Sequence, residues 1–255
     1  MILALDVGNT NIVAGVIENG DILDTVRLAT DAKKTSYEYA VELKLLLGFK
    51  GRNPDDFEGT VISCVVSPLT NVLNDAAKML FRREALIVGK GIKTGLDIRI
   101  DDPGQIGADL VVGSVATKAA YPVPAIMIDM GTATTVCALD AEGRFIGGAI
   151  APGLNLSMQA LAEKTSQLPH VALDPPEKCI GTNTITCMQS GAIYGTASML
   201  DGLIDRMEQE IGSVATIVAT GGLAGRVAHV CRREIIVDDD LLLKGLWIIW
   251  TKNIK

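Results

Sequence analysis

Aromatic side chains are scarce: Phe, Trp and Tyr make up 4% of the 255 residues, with 2 Trp in all. The interior must therefore be filled by Val, Ile, Leu and Ala, which suits sheets covered by helices. The 5 cysteines (64, 137, 179, 187 and 231) are odd in number and include no Cys-x-x-Cys pair. Neither a zinc site nor a disulfide framework is expected from them. No basic run is longer than Arg232-Arg233, and the formal net charge is −7. That argues against nucleic acid as a partner, because phosphate backbones demand clustered Lys and Arg. No apolar run approaches the roughly 20 residues that span a bilayer. The stretch from Leu241 to Trp250 is interrupted by Lys244 and Gly245 and reads as a packed terminal helix, with Trp247 and Trp250 one turn apart. The first residues lack the basic flank and cleavage site of a signal peptide, so the expectation is a cytoplasmic protein with reduced thiols and no membrane contact.

What is present is a repeat. The chain opens with Ile2-Leu3-Ala4-Leu5-Asp6-Val7-Gly8-Asn9-Thr10, and near its middle it reads Ile126-Met127-Ile128-Asp129-Met130-Gly131-Thr132-Ala133-Thr134-Thr135. Each copy is an apolar run ending in Asp-x-Gly, then polar side chains, then a second strand-like run (Ile12–Ile17, Val136–Leu139) and a turn. A strand–turn–strand unit occurring twice predicts two duplicated domains, expected over 1–112 and 113–255, facing each other across a cleft. The expected cleft ligand is a nucleotide phosphate.

The pattern between the copies predicts β-β-β-α-β-α-β in the first half. It places helices over 36–47 and 68–81, strands over 60–66 and 85–88, and a Gly/Asp/Pro-rich loop over 89–107. A helix over 108–120 leads into the second half. There, strands are expected at 125–129, 133–139 and 144–150, then helices at 153–164 and 184–211, the latter interrupted near Gly191 and Gly195. A strand at 214–219, a helix at 222–231, a strand at 234–237 and the terminal helix complete it.

Gly8 lets the backbone approach a ligand closely, and its N–H with those of Asn9 and Thr10 can cradle phosphate oxygens. Asp6 is unsuited to touching phosphate, so its useful role is to hold Mg²⁺ or its waters. A lone Asp-x-Gly-Asn-Thr fits a tight hairpin with a capping Asp as well as it fits a phosphate loop. The second copy shifts the balance, because three hydroxyls beside Gly131 make a phosphate or cation site that no strand interior needs. Neither tip has Lys or Arg, so cations must neutralise the phosphates. Gly147-Gly148-Ala149-Ile150-Ala151-Pro152-Gly153 and Thr220-Gly221-Gly222 add two more glycine turns at strand ends. Asp109, in Gly107-Ala108-Asp109, could be a helix cap; beside two phosphate tips, a general base for an alcohol acceptor is the better reading.

Taken in order, DVGNT, GAD, DMGTATT, GGAIAPG, Gly181-x-Asn183-Thr184 and TGG resemble type III pantothenate kinase along essentially the whole chain. The resemblance implies an α/β fold of two ribonuclease-H-like (actin-like ATPase) domains in the acetate/sugar kinase–heat-shock–actin superfamily. It also implies ATP-dependent phosphorylation of pantothenate, a homodimer, and a need for Mg²⁺ and a monovalent cation, potassium or ammonium. Residue by residue, it implies a phosphate loop over Asp6, Val7, Gly8, Asn9, Thr10, Asn11, Ile12 and Val13. Asp109 would be the base, Asp129 the monovalent-cation ligand, Thr132 an ATP contact and Thr184 a pantothenate contact. Gly107, Ala108, Asp109, Leu110 and Ile100 fall on acceptor-binding positions.

Two positions depart from the pattern. The family usually has Arg where Leu110 stands and Tyr where Ile100 stands, and both contact pantothenate; the arginine suits its carboxylate. Arg99 is a neighbouring cation, but an adjacent strand residue points the other way. The alternatives are a kinase for another small alcohol and a non-catalytic nucleotide-binding regulator of the same fold. Ile100 and Leu110 keep the regulator open, whereas intact Asp6, Asp109 and Asp129 count against it.

Overall fold

The computed structural model describes residues 1–254. The chain divides into two compact units. The first comprises Met1–Leu96, Asp102–Ala116 and Asp240–Lys255, and the second Asp97–Asp101 and Thr117–Asp239.

In the first unit, β1 (Ile2–Val7) pairs antiparallel with β2 (Asn11–Glu18), which pairs antiparallel with β3 (Asp21–Ala29). The β2–β3 turn is possible because Asn19 and Gly20 take positive φ, at 53° and 96°. Helix α1 (Ser36–Phe49) starts at a capping box in which the Thr35 side chain accepts from Glu38 N and Glu38 reaches back to Thr35 N. Strand β4 (Gly59–Cys64) then lies parallel to β1. Helix α2 (Ser67–Phe81) carries Pro68 in its first turn, where no N–H is required. Strand β5 (Leu86–Ile87) finishes a sheet ordered β3-β2-β1-β4-β5. Leu3, Leu5, Ile12, Tyr39, Leu43, Ile62, Leu69 and Leu73 form its core, each at most 1% exposed. Full burial of an aliphatic side chain contributes about 1.5–3 kcal/mol.

Helix α3 (Ala108–Ala120) leads into the second unit. There β6 (Ala125–Met130), β7 (Ala133–Leu139) and β8 (Phe145–Pro152) repeat the antiparallel meander. After helices α4 (Leu154–Lys164) and α5 (Thr184–Ile211), β9 (Thr216–Thr220) lies parallel to β6. Helix α6 (Ala224–Ala228) and β10 (Ile236–Val237) complete a sheet ordered β8-β7-β6-β9-β10. Strand order and direction match the first sheet, so the duplication read in the sequence is a duplication of topology.

Several elements differ from their expected extents. Helix α5 runs unbroken through Gly191 and Gly195, because Asn183 caps one end and Gly212 takes the left-handed conformation at the other. Met188, Ile193, Ala197, Leu200 and Ile204 are buried along it and hold the glycines in place. Helix α1 continues past Gly48 to Phe49. Helix α6 is 5 residues long, starting only after Gly221, whose φ of +97° is not helical. Strands β5 and β10 each span 2 residues.

The terminal helix α7 (Leu241–Asn253) packs within the first unit, so no single cut near residue 112 separates the units. Gly15 faces the side chain of Leu243, Gly20 that of Trp247 and Gly59 that of Trp250. A β-carbon at Gly59 would collide with the Trp250 ring, so that glycine admits the helix.

Candidate active site

The first tip lies between β1 and β2. Gly8 N–H donates to Asn11 O at 3.0 Å, and Thr30 Oγ1–H donates to Gly8 O at 2.7 Å. The Gly8 N–H is thus taken by the turn itself rather than left for a phosphate, which corrects the expectation for that donor. Asn9 and Thr10 are exposed at the tip, Asn11 begins β2, Ile12 is buried in the core, and Val7 is buried at the end of β1. Asp6 is flanked in register by Val13 on β2 and Ser63 on β4. Directly opposed residues share a sheet face, so the Ser63 hydroxyl stands beside the Asp6 carboxyl.

Asp6 keeps some contact with solvent, yet its carboxyl pKa is pushed from 3.8 up to about 7. Burial is the largest cause, the negative charge of Asp109 the second, and the neighbouring Ser63 hydroxyl opposes both. Asp109 sits in the first turn of α3, where its Oδ1 accepts from Leu110 N at 2.8 Å. Burial also raises the Asp109 pKa above the ordinary carboxylate value, against backbone hydrogen bonds that lower it. The structure therefore brings together two carboxylates that repel one another, Asp6 and Asp109, with Gly107, Ala108 and Leu110 around the second. A β-carbon on Gly107 would push the Asp109 carboxylate out of its present position.

The second unit repeats the arrangement with a change. Asp129 is flanked by Thr135 on β7 and Thr220 on β9, so three oxygen-bearing side chains share one face. The matching neighbour in the first unit is Val13, which brings no oxygen. Thr135 Oγ1 is buried with no hydrogen-bond partner among the described residues. An unpaired buried hydroxyl costs about 1–3 kcal/mol, and a cation at that face would relieve it. All-oxygen donors of this kind suit hard cations.

Two glycine turns close on the same tip. Gly153 N–H donates to Thr132 O at 3.1 Å, and a β-carbon on Gly153 would strike the carbonyls of Gly131 and Thr132. A β-carbon on Gly221 would lie 2.7 Å from Met130 C and O and 2.8 Å from Met130 N. Thr132 is exposed at the apex. Ser63 and Thr220 were not singled out in the sequence as partners of the two aspartates. They sit on strands remote in sequence, and only the parallel pairing of β4 with β1 and of β9 with β6 makes them neighbours.

The remaining expected residues lie elsewhere. Ile100 belongs to the segment Asp97–Asp101, which joins β8 through Phe145 N–H to Asp97 O and Arg99 N–H to Phe145 O, both 2.8 Å. Ile100 is half-buried, while Arg99 is exposed and tied to Asp97 at 2.8 Å. Thr184 is the exposed first residue of α5, behind a cap in which Asn183 Oδ1 accepts from Thr186 N at 3.0 Å. Gly181 lies against the backbone of Cys187. Thr184 lines a cavity of about 870 Å³ between α4, α5 and the 181–183 turn.

A duplicated five-stranded fold with an aspartate-bearing hairpin in each half defines the actin-like ATPase and sugar-kinase class of proteins. Two solved structures share the fold. A Baf family transcriptional activator from Campylobacter jejuni aligns over 98% of both chains with a TM-score of 0.64 at 16% identity. Component A of (R)-2-hydroxyglutaryl-CoA dehydratase from Acidaminococcus fermentans aligns over 98% of both chains with a TM-score of 0.58 at 17% identity.

Within that class the chain belongs to the type III pantothenate kinase family, whose model matches residues 2–206. The type III pantothenate kinase of Exiguobacterium sibiricum is 44% identical over 253 residues, covering 99% of this chain and 100% of the relative. That of Halalkalibacterium halodurans is 42% identical over 254 residues, covering 100% of both. Among the described residues, no helix is long and apolar enough to cross a membrane.

Proposed function

We propose that this protein transfers the γ-phosphoryl group of ATP to the primary hydroxyl of pantothenate, giving 4'-phosphopantothenate for coenzyme A synthesis. The observation that carries the reading is the facing pair Asp6 and Asp109 within a family match that runs nearly the whole chain. Asp109 is buried enough for its pKa to rise, and a raised pKa makes a carboxylate a better proton acceptor. It takes the hydroxyl proton as the new O–P bond forms and ADP leaves.

Asp6 is suited to Mg²⁺, because a carboxyl held near neutrality by burial and by a second carboxylate gains from a local positive charge. Asp129, with Thr135 and Thr220 beside it, offers an oxygen-only face suited to potassium or ammonium. When bound, the cations neutralise the phosphate oxygens, a task for which neither tip carries Lys or Arg. Asn9, Thr10, Asn11 and Thr132 supply polar groups toward ATP; Gly107, Ala108, Leu110, Ile100 and Thr184 shape the acceptor side. We further propose a homodimer acting in the cytoplasm. The test is an assay of purified protein for ATP-dependent phosphorylation of pantothenate, with and without potassium.

A further inference from the structure

Two exposed cysteines flank the start of α5, Cys179 just before it and Cys187 in its first turns, and phosphoryl transfer uses neither. Three contacts lay the stretch 176–181 along one side of the helix. Tyr194 O–H donates to Pro176 O at 3.2 Å, Ser190 O–H donates to Cys179 O, and a β-carbon on Gly181 would strike the Cys187 backbone. The stretch therefore runs antiparallel to α5, with Cys179 level with Ser190 and Gly181 level with Cys187.

Cys179 Sγ lies 3.9 Å from Ser190 Oγ. Cys187 and Ser190 stand at i and i+3 on the helix, a spacing that puts their β-carbons about 5–6 Å apart on neighbouring surface. Along the axis they differ by about 4.5 Å. A slide of that size in the bend around Cys179 brings the two sulfurs within bonding reach. Ile180 is 83% exposed, so its side chain does not anchor the bend.

The other cysteines are placed differently. Cys137 is buried, Cys64 Sγ meets Val66 O at 3.3 Å, and Cys231 Sγ meets Val227 O at 3.4 Å, where burial pushes its thiol up to about 11. Among the described residues, no group of three His, Cys, Asp or Glu side chains could hold a metal ion, so no third ligand joins Cys179 and Cys187. Two exposed neighbouring thiols can instead be oxidised to a disulfide. In a reducing compartment such bonds are transient and redox-sensing.

A bridge between Cys179 and Cys187 would enclose the cap of α5. Inside that loop, Thr182 N–H and Asn183 N–H donate to Thr186 Oγ1 at 3.1 and 3.2 Å, and Asn183 Oδ1 accepts from Thr186 N at 3.0 Å. Drawing Cys179 toward Cys187 pushes on Gly181, which is already against the helix backbone, and so displaces this cap and Thr184 beside it.

We propose that Cys179 and Cys187 are a reversible modification site: a low-molecular-weight disulfide converts them to an intrachain disulfide, and the displaced cap weakens acceptor binding. The effect on the acceptor rests on Thr184 being an acceptor contact. One cysteine thiolate attacks a sulfur of the reagent, giving a mixed disulfide and one small thiol. The second thiolate then displaces the other small thiol. The reagent gains the two electrons and two protons that the cysteines lose.

The probe is oxidised glutathione, added to the full-length protein and to Cys179→Ser and Cys187→Ser. Mass mapping of unreduced digests should find the Cys179–Cys187 bridge in the parent, whereas each single variant should carry a glutathione adduct on its remaining cysteine of the pair. In the oxidised parent the KM for pantothenate should rise by roughly threefold or more, with that for ATP little changed. Dithiothreitol should reverse the rise, and neither variant should show it. No bridge in the parent, or a bridge between two copies, overturns the proposal while sparing the kinase reading. So does a bridge that leaves the KM for pantothenate unchanged. A reduced parent that does not phosphorylate pantothenate overturns the kinase reading and, with it, the proposed effect on the acceptor.

Discussion

The negative charge of Asp109, at the start of α3, raises the proton affinity of Asp6, at the end of β1. These residues are far apart in sequence, and Asp109 has two readings, helix cap and general base. A capping residue satisfies backbone N–H groups and has no need of a second carboxylate nearby; a base beside a cation-binding aspartate does. Asp109→Asn keeps the size and the hydrogen bond to Leu110 N but removes basicity. Turnover should fall by about 10²-fold or more, with the melting temperature nearly unchanged. A variant that turns over like the parent would reduce Asp109 to a cap.

The Asp6 carboxyl predicts a pH dependence of stability in the absence of Mg²⁺. Its folded pKa of about 7 exceeds the ordinary 3.8, so the folded state binds the proton more tightly than the unfolded chain does. That contribution is fully present below pH 3.8 and is lost as pH rises to about 7, at about 1.4 kcal/mol per unit of pKa difference. Asp6→Asn mimics the protonated form. Its melting temperature relative to the parent should therefore rise between pH 5 and pH 8, by calorimetry in chelator. A difference that stays flat across this range would show that Asp6 is not held near neutrality.

Gly221 occupies a backbone conformation with φ +97°, and a β-carbon built on it would lie 2.7 Å from Met130 C and O. Gly221→Ala should cost about 1–3 kcal/mol in strain, more if the turn cannot move. Differential scanning calorimetry should show a fall of several degrees, at about 2–4 °C per kcal/mol for a chain this size. ATP affinity should drop too, because the turn closes on the Asp129 tip. An unchanged melting temperature would mean that the contact relaxes freely.

The repeat was legible because a strand ending in Asp-x-Gly is local: Asp6 and Asp129 could be placed without knowing what they touch. Helices α3 and α5 were legible for the same reason, since apolar spacing lies within a few residues. The hydroxyls of Ser63 and Thr220 were not, because their relation to the aspartates depends on which distant strand comes to lie alongside. The seating of α7 was hidden likewise: only the structure shows that Gly59 leaves room for Trp250. The expected breaks at Gly191 and Gly195 failed because buried side chains on the opposite face of α5 outweigh the local helix cost.

Leu110 bears on the acceptor. A charged hydrogen bond to a carboxylate contributes about 1.5–3 kcal/mol. Leu110→Arg should therefore lower the Michaelis constant for pantothenate by roughly ten- to a hundredfold, with little change in that for ATP. Adding Ile100→Tyr should lower it further. Steady-state kinetics with both substrates varied would check this; an unchanged constant for pantothenate would place the acceptor carboxylate away from Leu110.

The central claim is that this protein phosphorylates pantothenate using carboxylates and cations in place of basic side chains. The most direct test is the rate of 4'-phosphopantothenate formation from ATP and pantothenate by purified protein, with Mg²⁺, with and without potassium. The account predicts product that vanishes when Mg²⁺ is chelated and falls strongly when a bulky organic cation replaces potassium, a response that Asp129→Ala erases. ATP binding with no pantothenate phosphorylation under any cation would contradict it and leave the nucleotide-binding regulator as the better account.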